Sequence, residues 1–129
     1  RVTLKVDLRT VWRFGKAGER ELELTLLTLL EGIEQTGKLT VAARSAGISH
    51  RHAWNLVEKW SDFFGAPLVM IERGRGTRLS TLGDKLLWAG KRAQARLEPE
   101  LENLAAELAG KVHALAITAL APDEVARSR

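Results

Sequence analysis

The chain has 129 residues, a hydrophobic fraction of 45% and a net charge of +4, the composition of an ordinary globular protein. It contains no cysteine, so disulfide frameworks, thiolate metal sites and a cysteine nucleophile are excluded. The sequence shows neither an apolar run long enough to span a bilayer nor a signal-peptide pattern. We therefore expect a cytoplasmic protein without a membrane segment.

The excess positive charge is concentrated in the middle of the chain. Residues 37–96 hold eleven basic and four acidic side chains, whereas residues 1–36 are neutral and residues 97–129 are acidic. Such a basic segment is typical of a region that meets a polyanion, although a solvated basic face gives the same count. Charge alone leaves both interpretations open.

The N-terminal residues alternate between apolar and polar side chains. The alternation over Val2–Leu8 predicts a strand with one buried face. Trp12 and Phe14 continue it, so a second short strand or a hairpin is expected, with the turn at Gly15 and Gly18.

Helical spacing of the apolar residues replaces the alternation from about Glu19. We predict a first helix that ends at Gly37, a second from about Thr40 to Ala46, and a third that extends to about Phe64. Ser49 is a good N-cap for the third helix.

The second and third helices have the pattern of a helix-turn-helix. Ala42, Ala43 and Ala46 are small enough to let two helices approach closely, and Gly47 allows a turn with positive φ. An apolar turn residue and an apolar helix face follow, which is typical of this motif, although an ordinary helical hairpin can imitate it.

The outer face of the third helix carries side chains that can hydrogen-bond to base edges in a major groove. They are His50, Arg51, His52, Asn55 and Lys59. Three further residues are suited to phosphate contacts, which position a domain without reading sequence: Thr40, Arg44 and Ser49. The alternative is a polar helix face that only meets solvent.

A basic hairpin is predicted next, with strands at Leu68–Ile71 and Thr77–Leu79 around a glycine turn. Such a hairpin can act as a wing that reaches a minor groove or the DNA backbone. Its candidate DNA contacts are Arg73, Arg75, Thr77 and Arg78. A phosphate loop of a nucleotide enzyme is disfavoured because no Gly-Lys-Ser/Thr follows the glycines.

A long final helix is predicted from a cap at Ser80 or Thr81 to about Ala109. Leu82, Leu86, Ala89 and Ala93 are spaced to pack back on the domain. A heptad seam for a second copy follows at Leu97, Leu101, Leu104 and Leu108. Packing against another domain of the same chain is the alternative, and Pro99 is expected to kink or restart the helix.

The sequence offers few residues that could form a metal or catalytic site. His50 and His52 stand two apart on a helix and cannot easily share a metal ion. Neither paired carboxylates nor a nucleophile with its base stands out, so we predict no metal site, no catalytic residue and no enzymatic activity.

Residues 37–83 resemble the N-terminal domain of LysR-type regulators. The motifs that carry the resemblance are Gly37, Leu39, Ala42-Ala43, Gly47-Ile48-Ser49, Gly65-Ala66-Pro67-Leu68-Val69, Glu72-Arg73 and Leu79-Ser80-Thr81-Leu82-Gly83. The molybdate-responsive ModE-type relatives of that domain are more similar, over roughly residues 2–109, through Leu29-Leu30-Glu31-Gly32-Ile33, Gly47-Ile48-Ser49, Ala53-Trp54 and Leu79-Ser80-Thr81.

The resemblance implies a dimeric regulator in which Ser49–Lys59 enters the major groove and Arg73–Arg78 forms the wing. It implies no cofactor in this chain, because molybdate or tungstate would bind to a sensor domain. Val112–Thr118 is expected to be the first strand of such a domain.

The predicted fold is mainly α with small β elements: a winged helix-turn-helix over residues 1–80, a dimerisation helix over 81–109 and a tail over 110–129. Within the first part we place strands at 2–14, the helix-turn-helix at 39–64 and the wing at 68–80. The predicted function is sequence-specific regulation of transcription by a homodimer bound to double-stranded DNA. The alternative is a protein-interaction module that uses the leucine seam as its functional surface.

Overall fold

The computed structural model describes the backbone of residues 4–128 and the side chains of residues 4–115. Four helices and two antiparallel strand pairs follow one another in the order β1 (Arg13–Phe14), β2 (Arg20–Glu21), α1 (Leu24–Thr36), α2 (Leu39–Ser45), α3 (His50–Phe64), β3 (Val69–Glu72), β4 (Gly76–Leu79) and α4 (Thr81–Ser128). The mainly helical fold with small strand pairs is therefore confirmed.

The described residues form two compact units. The first, which we call the winged-helix unit, comprises residues 11–92. The second unit consists of the N-terminal segment up to Thr10 and the chain from Ala93 onward.

The core of the winged-helix unit lies between the first three helices and the start of α4. Each helix presents apolar residues at helical spacing, so that one stripe is buried and the opposite stripe meets solvent. The buried side chains include Leu26, Leu29, Leu30, Ile33, Ala42, Ala43, Ala53, Leu56, Val57, Trp60, Leu68, Leu86 and Leu87. Leu82 packs against this cluster, as predicted from its spacing.

The helix-turn-helix forms from α2 and α3, at the position that Ala42, Ala43, Ala46 and Gly47 predict. Gly47 adopts a φ of 74°, a left-handed conformation that costs glycine little. The Ile48 amide then donates to the Ala43 carbonyl at 3.0 Å, which closes the turn. Ser49 caps α3, because its Oγ accepts a hydrogen bond from the His52 amide at 3.0 Å.

The start of α4 lies very close to the chain segment that leads into the wing. Ser80 caps the helix by accepting a hydrogen bond from the Gly83 amide at 3.0 Å, while its hydroxyl donates to the Pro67 carbonyl at 2.6 Å. A Cβ at Gly83 would overlap the Leu68 carbonyl oxygen, so the approach requires glycine.

Two predicted element boundaries, the start of the first helix and the end of the last, are wrong. The first helix begins at Leu24 rather than at about Glu19, because residues 20–21 pair with β1 and Glu23 occupies the N-cap position. The final helix continues past Pro99 and past Ala109 to Ser128.

The strand predicted for Val112–Thr118 is part of that helix. Its apolar residues at Val112 and Leu115 continue the helical spacing of Leu108, and alanine between them favours a helix.

The strand predicted at Val2–Leu8 is also absent over residues 4–8, whose backbone forms no ladder. Val2 lies outside the described residues. Val6 and Leu8 are half-buried and alternate with exposed neighbours, but they line a groove with Leu101 and Ala105 of α4. The alternation therefore reports one-sided burial against a helix rather than membership of a sheet. The hairpin predicted after Trp12 does form, as β1 and β2.

Candidate nucleic-acid interface

Helix α3 is amphipathic, and this fixes which side chains point away from the domain. Its buried stripe of Ala53, Leu56, Val57 and Trp60 faces the core. Arg51, His52 and Asn55 are exposed, and His50 lies at the first position of the helix with its ring 6.5 Å from that of Trp54. The first two turns of α3 therefore present donors and acceptors outward, as base reading requires.

Lys59 differs from the other residues predicted on this face. Its ammonium pairs with the carboxylate of Glu23, the residue before α1, and lies 5.7 Å from the ring centroid of Trp60. Trp60 donates its Nε1 hydrogen to the same carboxylate at 2.5 Å. This amine thus joins α3 to α1, and its contact with DNA stays a prediction.

The environment of Glu23 favours its charged form. Partial burial alone would raise its pKa, but the hydrogen bonds from Lys59 and Trp60 outweigh that effect and hold the pKa below the ordinary value of 4.5. The carboxylate is therefore ionised at neutral pH and keeps both partners in place.

Two acidic residues that the sequence reading omitted also lie on the outside of α3. Glu58 and Asp62 are exposed. At 100° per residue they fall on the same stripe as Arg51 and Asn55. A helical wheel centred on the buried residues would have identified both from the sequence.

The three residues predicted to contact phosphate are all at the surface. Thr40 and Arg44 are exposed on α2, and Ser49 is exposed at the N-terminus of α3. The Ser49 Oγ already accepts the capping hydrogen bond, which leaves its hydroxyl hydrogen free to donate. Their phosphate contacts stay predictions.

The hairpin β3–β4 forms the wing, with residues 73–75 at its turn. Arg73 and Arg75 are exposed there. Arg78 is exposed on β4, but its guanidinium pairs across the hairpin with Glu72 at 3.2 Å. Among the described residues, the two arginines at the wing tip have no ion-pair partner, and Arg78 is partly neutralised.

Thr77 requires a correction to the predicted set. It is only 8% exposed, because its amide donates to the Gly37 carbonyl at 2.9 Å and draws the residue into the domain. Its side chain therefore belongs to the root of the wing, and we do not retain it in the candidate interface.

Gly76 explains how the root of the wing can lie so close to the turn between α1 and α2. It adopts a φ of 88°, and a Cβ there would overlap the Gly37 carbonyl oxygen. Glycine is thus required at position 76 for two reasons: its φ is positive, and the Gly37 carbonyl leaves no room for a Cβ.

The predicted leucine seam lies in the second unit, on α4. Leu97, Leu104 and Leu108 are exposed, whereas Leu101 is half-buried in the groove lined by residues 4–8. Leu115, which was not predicted, is exposed at the spacing that continues the seam. The surface is an apolar stripe of the kind that a second helix covers.

Two general findings concern the described part of the chain. No three histidine, aspartate or glutamate side chains there gather as they would around a metal ion. Nor does any described helix combine the length and apolar character needed to cross a bilayer.

Comparison with known proteins identifies two curated relatives. The molybdenum-pterin-binding protein MopB of Rhodobacter capsulatus is 34% identical over 67 residues, 49% of this chain and 25% of the relative. The molybdenum transport protein ModE of Herbaspirillum seropedicae is 33% identical over 79 residues, 58% of this chain and 29% of the relative. The chain therefore spans less than a third of the length of either protein. No family model matches the chain.

Two of the solved structures that resemble the chain are a DNA complex and a regulator. The CbnR_DBD–DNA complex aligns with a TM-score of 0.48 and 19% identity, over 76% of this chain and 98% of that one. A LysR family transcriptional regulator aligns with a TM-score of 0.49 and 18% identity, over 61% of this chain and 28% of that one. The two sequence relatives and the winged helix thus support the similarity to LysR/ModE-type proteins that the motifs predict.

Proposed function

We propose that this chain is a sequence-specific regulator of transcription that binds double-stranded DNA as a homodimer. The observation that carries the proposal is the outward face of α3, where Arg51 and Asn55 are exposed next to a capped helix N-terminus. Arginine can bond to guanine and asparagine to adenine through two hydrogen bonds each. In this proposal α3 enters the major groove.

The wing supplies the second contact. Arg73 and Arg75 at the hairpin tip would reach the backbone or an adjacent minor groove, where arginine is attracted by the negative potential. Arg44 and Thr40 on α2 would contact phosphates on the other side of α3. These contacts would set affinity and position, whereas α3 would set base preference.

The exposed leucine stripe of α4 supports the homodimer. A single half-site reader gains affinity when two copies bind two half-sites. Pairing of two stripes would bury Leu97, Leu104, Leu108 and Leu115, which are exposed in the single chain. Replacing Leu104 by lysine should therefore give a monomer, whereas Asn103→Lys, on another side of α4, should leave the dimer intact in sedimentation equilibrium.

The names of both curated relatives refer to molybdenum, and this supports molybdate- or other oxyanion-responsive gene control as the setting. Sensing would belong to a separate domain, since the described residues form a winged helix-turn-helix and the long helix α4.

Selection of bound sequences from a random duplex pool tests the proposal. We expect a palindromic consensus, and an affinity that falls steeply with salt because about six to ten phosphates are neutralised per dimer. Arg51→Ala should lower the ratio of operator to random affinity, by about 1–3 kcal/mol for the lost contact.

Arg44→Ala is the matched control, because it removes an exposed arginine that we place on phosphate. It should weaken all duplexes nearly alike. An unchanged ratio in Arg51→Ala would reject α3 as the reading helix, and the absence of any enrichment would favour the protein-interaction module.

A further inference from the structure

The outer face of α3 changes its charge along the helix. Arg51, Asn55, Glu58 and Asp62 follow one another at intervals of four, three and four residues, and all four are exposed. They therefore form one stripe, basic in the first turns and acidic in the third and fourth. The acidic part needs an explanation on a surface that we place in a DNA groove.

Glu58 lacks the compensation that most acidic residues of the winged-helix unit have. Glu23 pairs with Lys59, Glu72 with Arg78, and Glu34 with Lys91 at 3.3 Å. Among the described residues, no ion pair or hydrogen bond engages the Glu58 carboxylate.

The nearest residues on the helix do not offset this charge. Lys59, the next residue, is turned away to Glu23. Asp62 lies four residues along the helix, where a like charge is destabilising. Among the described residues, the Glu58 carboxylate is therefore an exposed acceptor without a donor.

We propose that Glu58 is a specificity-determining residue that accepts a hydrogen bond from the N4 amino group of a cytosine. This inference rests on the proposed function. A carboxylate is repelled by phosphates and accepts hydrogen bonds without donating any, so it needs a donor on a base edge. In the major groove the donors are cytosine N4 and adenine N6, and adenine N6 lies beside the N7 acceptor, which repels a carboxylate.

The position of Glu58 on the helix gives the proposal a register. It lies seven residues after Arg51, about 10 Å along the helix axis. A helix in the major groove follows the groove, which is inclined to the DNA axis, so this distance spans fewer steps than the three of 3.4 Å that it would cover along the axis. A cytosine selected by Glu58 should thus lie about two to three base pairs from the base that Arg51 selects, within the same half-site.

The same carboxylate should weaken binding to every duplex that lacks this cytosine. Brought into the groove without a donor, it loses water and meets only acceptors and phosphates. Glu58 would therefore lower the affinity for non-specific duplexes without lowering the affinity for a site that carries the cytosine. Discrimination of this kind comes from an unfavourable contact with the wrong partner.

The test compares base selection by the wild-type chain, Glu58→Gln and Asp62→Asn on a random duplex pool. Glu58→Gln keeps the size and exposure of the side chain, so the fold should be retained, which circular dichroism checks. Glutamine keeps an acceptor oxygen but adds a donor, and the pair suits adenine. We therefore expect the preference for cytosine over adenine at one position per half-site to fall about tenfold in Glu58→Gln, while affinity for random duplex rises. Asp62→Asn removes the same charge one turn further along and should keep the cytosine preference.

Two results would overturn the inference. If Glu58→Gln strengthened binding to all duplexes alike and kept every base preference, Glu58 would act through its charge alone. If the wild type selected no cytosine that depends on Glu58, the assignment would likewise fail, although the DNA-binding function would stand. A wild-type chain that enriched no sequence at all would overturn the proposed function together with this inference.

Discussion

Helix α3 and the wing are both candidate DNA contacts, but the domain holds them in different ways. Helix α3 buries four side chains along its length, including Trp60, so its outer face is fixed by core packing. The wing is held at its root, where Thr77 is buried, while Met70 and Ile71 on the preceding strand are more than half exposed. Core packing therefore fixes the position of α3 along its length, whereas the wing takes its position from a few backbone contacts at its root.

The largest expected effect comes from removing Trp60, the side chain that anchors α3 in the core. Trp60 is fully buried among Phe14, Phe63 and Phe64, with ring centroids 5.3–6.0 Å away. Trp60→Ala should lower the free energy of unfolding by about 3–5 kcal/mol, measured by urea denaturation. Arg75→Ala at the wing tip should change it by less than about 0.5 kcal/mol. If the two variants lost similar amounts of unfolding free energy, α3 and the wing would not differ in how strongly the core holds them.

The next effect tests whether the wing is positioned from its root. Gly76→Ala introduces a Cβ that overlaps the Gly37 carbonyl oxygen and disturbs the hydrogen bond from Thr77. We expect a loss of about 2–4 kcal/mol, from positive φ and from the disrupted hydrogen bond together.

Gly74→Ala is the matched control. Its φ is 76°, but an added Cβ would meet no atom within 4 Å. It should cost about 1–2 kcal/mol for backbone conformation alone. If thermal unfolding showed equal losses at the two positions, contact with Gly37 would not be what holds the wing.

A smaller effect is expected at the N-terminus of α3. Ser49→Ala removes the acceptor of the His52 amide and should cost about 1 kcal/mol in the free energy of unfolding. Ser49→Asp, which preserves a capping acceptor, should retain most of the stability. A loss as large as that of Trp60→Ala would show that the cap, rather than the core, fixes the helix.

The smallest effect concerns pH and the link between α3 and α1. Because the pKa of Glu23 is lowered in the folded chain, its charge contributes stability that is present above its unfolded value and lost as pH falls through the folded value. Glu23→Gln keeps an oxygen that can accept the hydrogen bond from Trp60, so it removes the negative charge alone.

The stability difference between the wild type and Glu23→Gln should therefore shrink as pH falls below about 4.5. It should be small at neutral pH, because solvent screens the partly exposed pair with Lys59. Urea denaturation at several pH values measures it, and a difference independent of pH would contradict the link.

The features predicted correctly from the sequence are those that local residues determine. Gly47 sets the turn between α2 and α3, Ser49 starts α3, and the glycines at 74 and 76 bend the wing. Each is specified within a few residues of the place where it acts.

Apart from Glu58, Asp62 and the extent of α4, the features that the sequence did not predict depend on partners far away in the chain. Lys59 is held by Glu23, 36 residues earlier, and Thr77 by Gly37, 40 residues earlier. Residues 4–8 show the alternation of a strand, but what covers them is a helix a hundred residues later. Periodicity reports which side chains are buried, and it does not name the partner that buries them.

Gly83 and Glu58 should have different evolutionary histories. A Cβ at Gly83 would overlap the Leu68 carbonyl oxygen, whatever base sequence the proposed interface selects. Descendants of this domain that acquire new target sequences should thus keep glycine at this position, while the exposed stripe of α3 diverges. Position 83 would then serve as a fixed marker for aligning distant relatives, and position 58 as one from which a change of target could be read.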